Sequence, residues 1–398
     1  MRHAVNHVAH NALQAFNFPS PTRVVFGAGS AGRAGEFARE LGARRVLLVT
    51  DPGIVAAGHA GRVQQHLESA GLHLTVFDRA RQNPTTKCVE DCVAVARAAG
   101  IDTIIGLGGG SSMDTAKGCN FILTNGGRMQ DYRGVGKATK PMLPFMAIPT
   151  TAGTGSECQS AALIAEEHTH QKMACLDRKC AARIALLDPE LTLSQPTCVT
   201  ACTGVDALAH AVETAVTTKR TALSGRLSAE AFRLCLAAMP EVLRNPNDLD
   251  ARGRMQVGAA LAGAAIEHSM LGAAHAAANP LTARFDVIHG HAVGMMLPHV
   301  VRFNGEDATV CAAYAGLAGA AELVSPGTDS RRALEVLVER LEAVFALTTL
   351  PPSLAACGVQ RADLGRLAEE ATQQWTAGFN PRPVAKEEFL RLYEAVFG

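Results

Sequence analysis

Short apolar runs rich in Val, Ile and Leu recur through the first half of the chain, and amphipathic segments such as 57–69 and 88–98 separate them. The clearest of these runs cover residues 46–49, 74–77, 103–107 and 145–148. Alternation of apolar strands with helices is typical of a parallel sheet covered on both faces. Two further runs, 161–166 and 172–176, flank a polar stretch and predict a β-hairpin inserted into this part of the chain.

The pattern changes near residue 194, where long Ala- and Leu-rich stretches with helical periodicity replace the strands. These stretches cover residues 222–242, 253–267, 308–323 and 331–345. We therefore predict an α/β domain with a parallel sheet, followed by an all-helical C-terminal domain. The predicted division is an N-terminal extension at 1–18, the α/β domain at 19–193 and the helical domain at 194–398.

Composition narrows the possible partners of the chain. A length of 398 residues and a hydrophobic content of 48% allow two sizeable cores. The 37 basic side chains equal the 37 acidic ones in number, so the chain has no net positive charge that would favour binding to nucleic acid or to an anionic membrane surface. Eleven irregularly spaced cysteines without a CxxC pair indicate reduced thiols in a cytoplasm.

Neither of two candidate segments has the pattern of a membrane span or a targeting signal. The N-terminus has no apolar stretch of signal-peptide length. The small-residue run at 258–279 contains Glu267 and His268 and few bulky apolar residues, so it predicts closely packed buried helices rather than a membrane span.

A glycine turn, Gly108-Gly109-Gly110, lies between a buried-looking strand and a helix start at Ser111. Such a turn points backbone N–H groups and a helix N-terminus at one spot, and glycine lets an anion approach without a Cβ clash. The string is neither GxGxxG nor a P-loop, and a flexible turn is the alternative interpretation. Its position between a strand and a helix favours phosphate binding.

Two other strand ends carry polar groups suited to a nucleotide. A loop of small hydroxyl residues, which includes Thr150, Thr151 and Thr154, leaves the run at 145–148 and can hydrogen-bond ribose or pyrophosphate oxygens. Asp51 ends the run at 46–49, where a carboxylate can accept hydrogen bonds from a ribose 2′-hydroxyl and repel a 2′-phosphate. Asp51 therefore favours NAD over NADP, although a turn-forming Asp-Pro-Gly explains the sequence nearly as well.

One carboxylate and three imidazoles form a candidate metal site in the helical half. Asp206 and His210 are four residues apart in an Ala- and Leu-rich helical stretch, which puts them one turn apart on one face. His275 and His289 follow downstream. This set suits Fe²⁺ or Zn²⁺ and is a poor set for Mg²⁺ or Ca²⁺. The alternative is that the first pair is solvated and the later histidines fill core or loop positions.

Together these motifs resemble the iron-containing (group III) alcohol dehydrogenase family. The resemblance is carried by GGGSSMDTAK at 108–117, PTTAGTGSE at 149–157, GVDALAHAVE at 204–213 and the stretch from His275 to Val300, and it extends from about Pro19 to the C-terminus. It implies an N-terminal dinucleotide-binding domain, a helical metal-binding domain and an active site in the cleft between them. It also implies reversible hydride transfer between a small alcohol or aldehyde and NAD, assisted by a Lewis-acid metal, and a homo-oligomer, by resemblance a dimer.

The resemblance assigns roles residue by residue. The implied ligands of Fe²⁺, with Zn²⁺ as the alternative, are Asp206, His210, His275 and His289. The positions that match cofactor contacts are Asp51, Asn83, Gly109, Gly110, Ser111, Asp114, Thr150, Thr151, Thr154, Lys172 and Leu187.

Asn279 marks a departure from the family pattern, because many members carry a histidine there that has been suggested as a proton relay. Asparagine cannot titrate near neutral pH but can hydrogen-bond a substrate hydroxyl.

Since few cations lie near the predicted metal ligands, we expect the substrate to be an uncharged short- or medium-chain primary alcohol or diol. Arg284 is the nearby residue that favours a carboxylate instead. His291 follows a ligand closely, and for it a surface histidine is the preferred interpretation over an outer contact of the metal site.

Four alternatives stay open at this point. A hydroxyacid–oxoacid transhydrogenase or a glycerol-dehydrogenase-like enzyme would use the same motifs. A dehydroquinate-synthase-like lyase shares the two-domain plan, but it needs several Lys or Arg side chains around a phosphorylated, carboxylated substrate. A non-catalytic nucleotide-binding protein would have no need of the four ligands.

Overall fold

A computed structural model describes residues 15–169 and 171–398 of the chain. Most of the predicted N-terminal extension, residues 1–14, lies outside the described residues. The strands are β1 Arg23–Phe26, β2 Arg45–Val49, β3 His73–Phe77, β4 Thr103–Gly108, β5 Gly134–Val135, β6 Phe145–Pro149, β7 Ala161–Ala165, β8 Lys172–Leu176 and β9 Ile184–Leu187. The helices of this half are α1 Ala34–Glu40, α2 Pro52–Ala56, α3 His59–Ser69, α4 Thr86–Ala99 and α5 Gly110–Asn125.

The helices of the second half pack into one bundle. They are α6 Thr197–Thr214, α7 Ala222–Arg244, α8 Leu249–Ser269, α9 Ala273–Phe285, α10 His289–Asn304, α11 Ala308–Ala320, α12 Ser330–Leu347, α13 Leu364–Thr372 and α14 Lys386–Phe397. The predicted fold class, an α/β part with a parallel sheet followed by an all-helical part, is confirmed.

The main sheet has six parallel strands in the order β1-β9-β6-β4-β2-β3. Every residue of β4 is buried, as expected for a central strand covered on both faces. The chain passes from β2 outward to β3 and then returns to the other side of β2 as β4. The strand order therefore reverses between β2 and β4, and ligands of open α/β sheets bind outside the carboxyl ends of strands at such a point.

The predicted hairpin is confirmed: β7 pairs with β8 in antiparallel register, Ala161 opposite Leu176. β5 adds to β8 as a third strand of this smaller sheet. Sequence reasoning missed β1, because its four residues show no alternation between buried and polar positions. The structure explains this, since β1 forms the outer edge of the sheet and Val24 and Phe26 are 49% and 51% exposed.

Small side chains allow the helices around α6 to approach closely. Ala207, Ala209 and Ala211 on this helix are fully buried against the surrounding helices of the bundle. The predicted buried helices at 258–279 form the end of α8 and the start of α9. Within the described residues no single helix is long and apolar enough to cross a membrane, and α8 and α9 would be so only as a pair bent by 106°.

α8 joins the two halves of the molecule. Gly263 on α8 and Gly155 in the loop after β6 touch backbone to backbone, because a Cβ on Gly263 would lie 2.2 Å from the Gly155 carbonyl oxygen. The side-chain amide of Gln256 donates to the Pro149 carbonyl oxygen over 3.1 Å. The carboxylate of Glu267 accepts from Ser160 N over 2.8 Å. These contacts set the helical bundle against the carboxyl edge of the sheet and so create a cleft.

Candidate active site

The cleft is a cavity of about 750 Å³ between the carboxyl edge of the sheet and the helical bundle. It is lined by all of the predicted site residues except Leu187: Asp51, Asn83, Gly109, Gly110, Ser111, Asp114, Thr150, Thr151, Thr154, Lys172, Asp206, His210, His275, Asn279 and His289. Leu187 is fully buried among Cys158, Ala185 and Ala260 and does not reach the cavity wall.

The four predicted ligands meet at one end of the cavity. α6 carries Asp206 and His210 one turn apart, and their Oδ1 and Nε2 atoms are 3.5 Å apart. The first turn of α9 brings His275 Nε2 within 3.4 Å of the same carboxylate oxygen. His289, the first residue of α10, places its Nε2 4.0 Å from it. Three helices thus supply four ligand atoms around one point.

The chemistry of this cluster fits a metal cation. Asp206 Oδ1 and His275 Nε2 are buried and have no hydrogen-bond partner, which is costly for polar atoms unless something else satisfies them. Donor atoms from Asp206, His210 and His275 lie within 4.8 Å of one another. An anionic oxygen with imidazole nitrogens is a donor set that Fe²⁺ and Zn²⁺ accept.

The local electrostatics give Asp206, His210 and His289 the deprotonated states that metal ligands need. Burial opposes ionisation of Asp206, but the charges of His210, His275 and His289 hold the pKa of its carboxyl below the usual range. Burial lowers the pKa of His210, and it lowers the pKa of His289 to about 3. His275 differs: although it is buried, Glu213 and Asp206 raise its pKa to about 9. At neutral pH the metal-free cluster therefore carries one extra proton, the second on the His275 ring, which a bound metal would displace.

Two groups outside the ligand set hold the imidazole rings. His210 Nδ1 donates to the Gly153 carbonyl oxygen over 3.2 Å, which ties a ligand to the hydroxyl loop. A Cβ on Gly153 would lie 2.5 Å from Thr203 Cβ, so only glycine lets the loop approach α6 this closely. His275 Nδ1 lies 2.5 Å from Glu213 Oε2. Sequence reasoning assigned no role to Gly153 or Glu213.

The glycine turn and the hydroxyl loop face each other across the other end of the cavity. A Cβ on Gly110 would lie 2.9 Å from Thr154 Cγ2, and one on Gly109 would lie 3.3 Å from Thr151 Cγ2. Gly109 is the N-cap of α5, so the free N–H groups of a 16-residue helix open into this cradle. Because Gly109 and Gly110 place no side chain beside these N–H groups, the turn fits the pyrophosphate of a dinucleotide.

Asp51 has two structural partners at the strand reversal. Its Oδ1 accepts from Ile54 N over 3.1 Å, which makes it the N-cap of α2, and its Oδ2 accepts from Ser112 Oγ over 3.0 Å. The interpretation of Asp51 as a local turn or cap residue is therefore partly right. Because the side chain also lines the cavity beside Gly109, capping does not prevent it from facing a ribose.

A buried charge network supports the middle of the cavity. Lys117 is fully buried, and its Nζ donates to the Ser156 carbonyl oxygen over 2.6 Å and to that of Ala161 over 3.0 Å, fixing the hydroxyl loop on α5. Burial raises the pKa of the Asp114 carboxyl to about 6 against the opposing charges of Lys117 and Lys172. The role of Lys117 was not predicted from the sequence.

The wall beyond the ligands is formed by Asn279 and the segment that follows α13. The Nδ2 group of Asn279 donates to Gln374 Oε1 over 3.1 Å. Trp375, the single tryptophan of the chain, follows Gln374 on the wall and is 40% exposed. His291 is buried, so its interpretation as a surface histidine is wrong. Its Nε2 lies 2.7 Å from the Pro351 carbonyl oxygen, and the residue is off the cavity wall.

Comparison with known proteins agrees with this geometry. Residues 21–189 match the family model described as iron-containing alcohol dehydrogenase, and residues 200–397 match the C-terminal model of the same family. The chain is 32% identical over 379 residues to the NAD-dependent methanol dehydrogenase of Bacillus methanolicus, covering 94% of this chain and 98% of that protein. It is 32% identical over 378 residues to the lactaldehyde reductase of Escherichia coli K12, covering 94% and 97%.

A solved structure shows the same fold. The crystal structure of a 1,3-propanediol oxidoreductase superposes with a TM-score of 0.93 at 30% identity, covering 96% of this chain and all of that one. A parallel sheet with a glycine turn at its carboxyl edge, set against a helical cluster of carboxylate and imidazole side chains, is typical of a metal- and dinucleotide-dependent enzyme. The chain belongs to the iron-containing alcohol dehydrogenase family, and the resemblance found in the sequence is confirmed.

Membership of the family establishes which class of reaction the enzyme catalyses. The chain is an NAD-dependent enzyme that interconverts small alcohols and aldehydes, and it uses a metal. It is an oxidoreductase rather than a lyase or a non-catalytic nucleotide-binding protein.

Proposed function

We propose that the enzyme acts on an uncharged short- or medium-chain primary alcohol or diol, and on the corresponding aldehyde, with Fe²⁺ as its metal. The proposal that the enzyme binds a metal is supported mainly by two buried atoms without hydrogen-bond partners, Asp206 Oδ1 and His275 Nε2, at the centre of the histidine cluster. The residues that would hold the ion are Asp206, His210, His275 and His289. Fe²⁺ follows from the family, and the same donor set also accepts Zn²⁺.

The chain's own residues prepare the reactants for hydride transfer. When bound, the metal supplies Lewis-acid polarisation of the substrate oxygen and NAD⁺ supplies the hydride acceptor. The cradle at Gly109 and Gly110 holds the pyrophosphate. The hydroxyl loop, fixed by Lys117, orients the nicotinamide end. His210 is bonded to Gly153 of that same loop, which aligns the cofactor end of the cavity with the metal end.

The remaining cofactor contacts are also proposals. They involve Asp51, Asn83, Ser111, Asp114, Thr150, Thr151, Thr154 and Lys172, all of which lie on the cavity wall. A direct contact of Leu187 is not part of the proposal, since this side chain is buried behind the wall.

Asp51→Ser is expected to narrow the preference for NAD⁺ over NADP⁺ by about ten- to hundredfold in kcat/KM, the scale of losing roughly 1.4–2.8 kcal/mol of repulsion. Serine is itself a good N-cap, so the bond from Ile54 N can be kept while the charge is removed. Steady-state kinetics with both cofactors measure the ratio.

Asp51→Asn serves as the matched control, because it keeps the size of the side chain and its acceptor oxygen while losing only the charge. Both variants should narrow the ratio. If neither changes it, Asp51 acts only as the cap of α2.

The substrate proposal rests on the charges of the cavity wall. Among the described residues of the wall, the lysine and arginine side chains are Arg81 and Lys172, both from the α/β half. Arg284, the candidate partner for a carboxylate, instead donates from its Nε to Glu370 Oε2 over 2.6 Å and lies off the wall. The helical side of the wall offers Leu271, Ile288 and Trp375, which suit an uncharged carbon chain.

For substrates of matched chain length, we expect the alcohol to exceed the ω-hydroxy acid or 2-hydroxy acid in kcat/KM by about tenfold or more. The reason is that the helical side of the wall offers no Lys or Arg to pair with a desolvated carboxylate. The measurement is NADH formation by metal-reconstituted enzyme across the substrate pairs. Arg284→Ala is the control and should leave the ratio unchanged. A hundredfold preference for the acid would overturn the proposal and favour the transhydrogenase alternative.

Three further assignments complete the proposal. The division at residue 193 is supported by β9 ending at Leu187 and α6 beginning at Thr197. A homodimer is supported by the outer edge of β1, which pairs with no further strand among the described residues and exposes Val24 and Phe26. A cytoplasmic location is supported by the eleven cysteines, all of which are free thiols.

A further inference from the structure

Glu213 lies directly behind a metal-site histidine. Asp206, His210 and Glu213 occupy positions i, i+4 and i+7 of α6 and so share one face of the helix. Glu213 is 2% exposed. Its Oε2 is 2.5 Å from His275 Nδ1, and its Oε1 accepts from the backbone N of Ala274 over 2.7 Å. One carboxylate therefore contacts both the imidazole and the backbone at the start of α9.

The N-terminus of α9 depends on side chains from elsewhere in the fold. Its N-cap residue, Gly272, has no side chain to satisfy the first N–H groups. Asn380 Oδ1 accepts from Ala273 N over 3.2 Å, and Glu213 accepts from the next N–H group. A Cβ on Gly272 would lie 2.9 Å from Asn380 Oδ1 and 3.1 Å from Glu213 Oε1. The close packing leaves the Glu213 carboxylate little freedom to move.

The fixed carboxylate determines which ring nitrogen of His275 carries a proton. Glu213 Oε1 accepts from Ala274 N, and with Oε2 as the acceptor of the second hydrogen bond, the His275 Nδ1 atom opposite it carries the proton. Nε2 is then the nitrogen that a metal can bind once it displaces the second proton, and it is the atom that lies buried without a partner beside Asp206. Metal-binding histidines commonly donate their other N–H to a carboxylate, which fixes the tautomer and the ring orientation.

We propose that Glu213 is a positioning residue of the metal site, which holds His275 in the tautomer whose Nε2 can bind the ion. This inference rests on the proposed ligand set. It adds a residue that sets the affinity of the site without touching the metal, the cofactor or the substrate.

Glu213→Gln tests the role, because the amide keeps the size of the side chain and reverses one hydrogen bond. If its oxygen stays on Ala274 N, its NH₂ group faces His275 Nδ1 and donates to it, which favours a proton on Nε2 and opposes metal binding. If the amide is instead rotated by 180°, its NH₂ group faces the backbone N–H of Ala274, and two hydrogen-bond donors oppose each other there. We expect the affinity for Zn²⁺ and Fe²⁺, measured by chelator competition on metal-free protein, to fall about ten- to hundredfold.

Glu267→Gln is the matched control. Glu267 also accepts from a backbone N–H and from a side-chain donor of one neighbour, Ser160 N at 2.8 Å and Ser160 Oγ at 2.5 Å, and it contacts none of the four ligands. Both variants lose a carboxylate that bridges two segments, so both should lower the melting temperature of the metal-free protein. Only Glu213→Gln should also weaken metal binding. Equal metal affinity in the two variants would overturn the proposal.

A spectroscopic measurement covers the case in which Glu213→Gln does not fold. In ¹⁵N-histidine NMR of Zn²⁺-loaded wild-type enzyme, we expect His275 to show a protonated Nδ1 and a metal-bound Nε2. Metal binding through Nδ1, or a protonated Nε2, would contradict the role of Glu213. Full metal retention by His275→Ala would instead contradict the ligand set itself, so the two failures can be told apart.

Discussion

His275→Ala is expected to lose its metal on purification and to fall in turnover by more than about a hundredfold, while remaining folded. The substitution removes the nitrogen that lies 3.4 Å from Asp206 Oδ1 and leaves three ligands from two helices. Loss of an outer-shell partner alone typically lowers metal affinity ten- to hundredfold, and loss of a ligand should exceed this. The fold should survive because α9 is held by fully buried neighbours such as Ala276, Ala277 and Ala278.

Metal content by elemental analysis, circular dichroism and steady-state turnover check this expectation. His291→Ala is the control: His291 is also buried in the helical bundle, but its ring contacts Pro351 and does not line the cavity. The control should keep its metal. Full occupancy and normal turnover in His275→Ala would show that this histidine is not a ligand.

The sequence predicted most of the strands and helices because their physical signals are local. The runs that became β2, β4 and β6 are continuous apolar segments, as expected of strands buried on both faces. β1 was missed because an exposed edge strand of four residues has no such pattern. Which strand lies beside which is a property of tertiary packing, and no periodicity along the chain encodes it.

The ligand set could be proposed from spacing and family resemblance, whereas its supports could not. Asp206 and His210 are one helical turn apart, so their meeting is a local consequence of α6. Glu213 contacts a residue 62 positions away in the chain, and Gly153 contacts one 57 positions away. Contacts between distant segments of this kind leave no local trace in the sequence. Leu187 shows the opposite error, since matching a family position did not bring its side chain to the cavity.

Asp51 has a local structural role at a position where its contact with a ribose stays a prediction. The turn interpretation and the ribose interpretation were treated as alternatives, yet its two carboxylate oxygens accept from Ile54 N and Ser112 Oγ at the wall of the cavity. The local cap fixes the side chain at the strand reversal, which is the place where a nucleotide would meet it.

Gly290→Ala is expected to be the most damaging single-methyl change near the site. Gly290 follows His289 at the start of α10, where it touches α6 directly. An added Cβ would lie 2.0 Å from the Cys202 carbonyl oxygen and 3.1 Å from Asp206 Cβ. Because the first contact is with helix backbone, no flexible side chain can give way, and α10 must shift from α6 together with His289. Overpacking of this kind costs about 1–3 kcal/mol of folding free energy.

The shift of α10 should lower turnover and metal affinity as well as the stability of the fold. A displacement of about 1 Å in an aligned site can lower the rate by about a hundredfold, so turnover should fall by this order and metal affinity should fall with it. Gly316→Ala in α11 is the matched control, since its Cβ would meet nothing within 4 Å. Replacing a helical glycine in open space should stabilise the protein by about 0.5–1 kcal/mol and leave metal binding unchanged. Thermal melts, chelator competition and kcat on both variants decide the matter, and wild-type metal affinity in Gly290→Ala would show that the spacing of α6 and α10 does not govern the site.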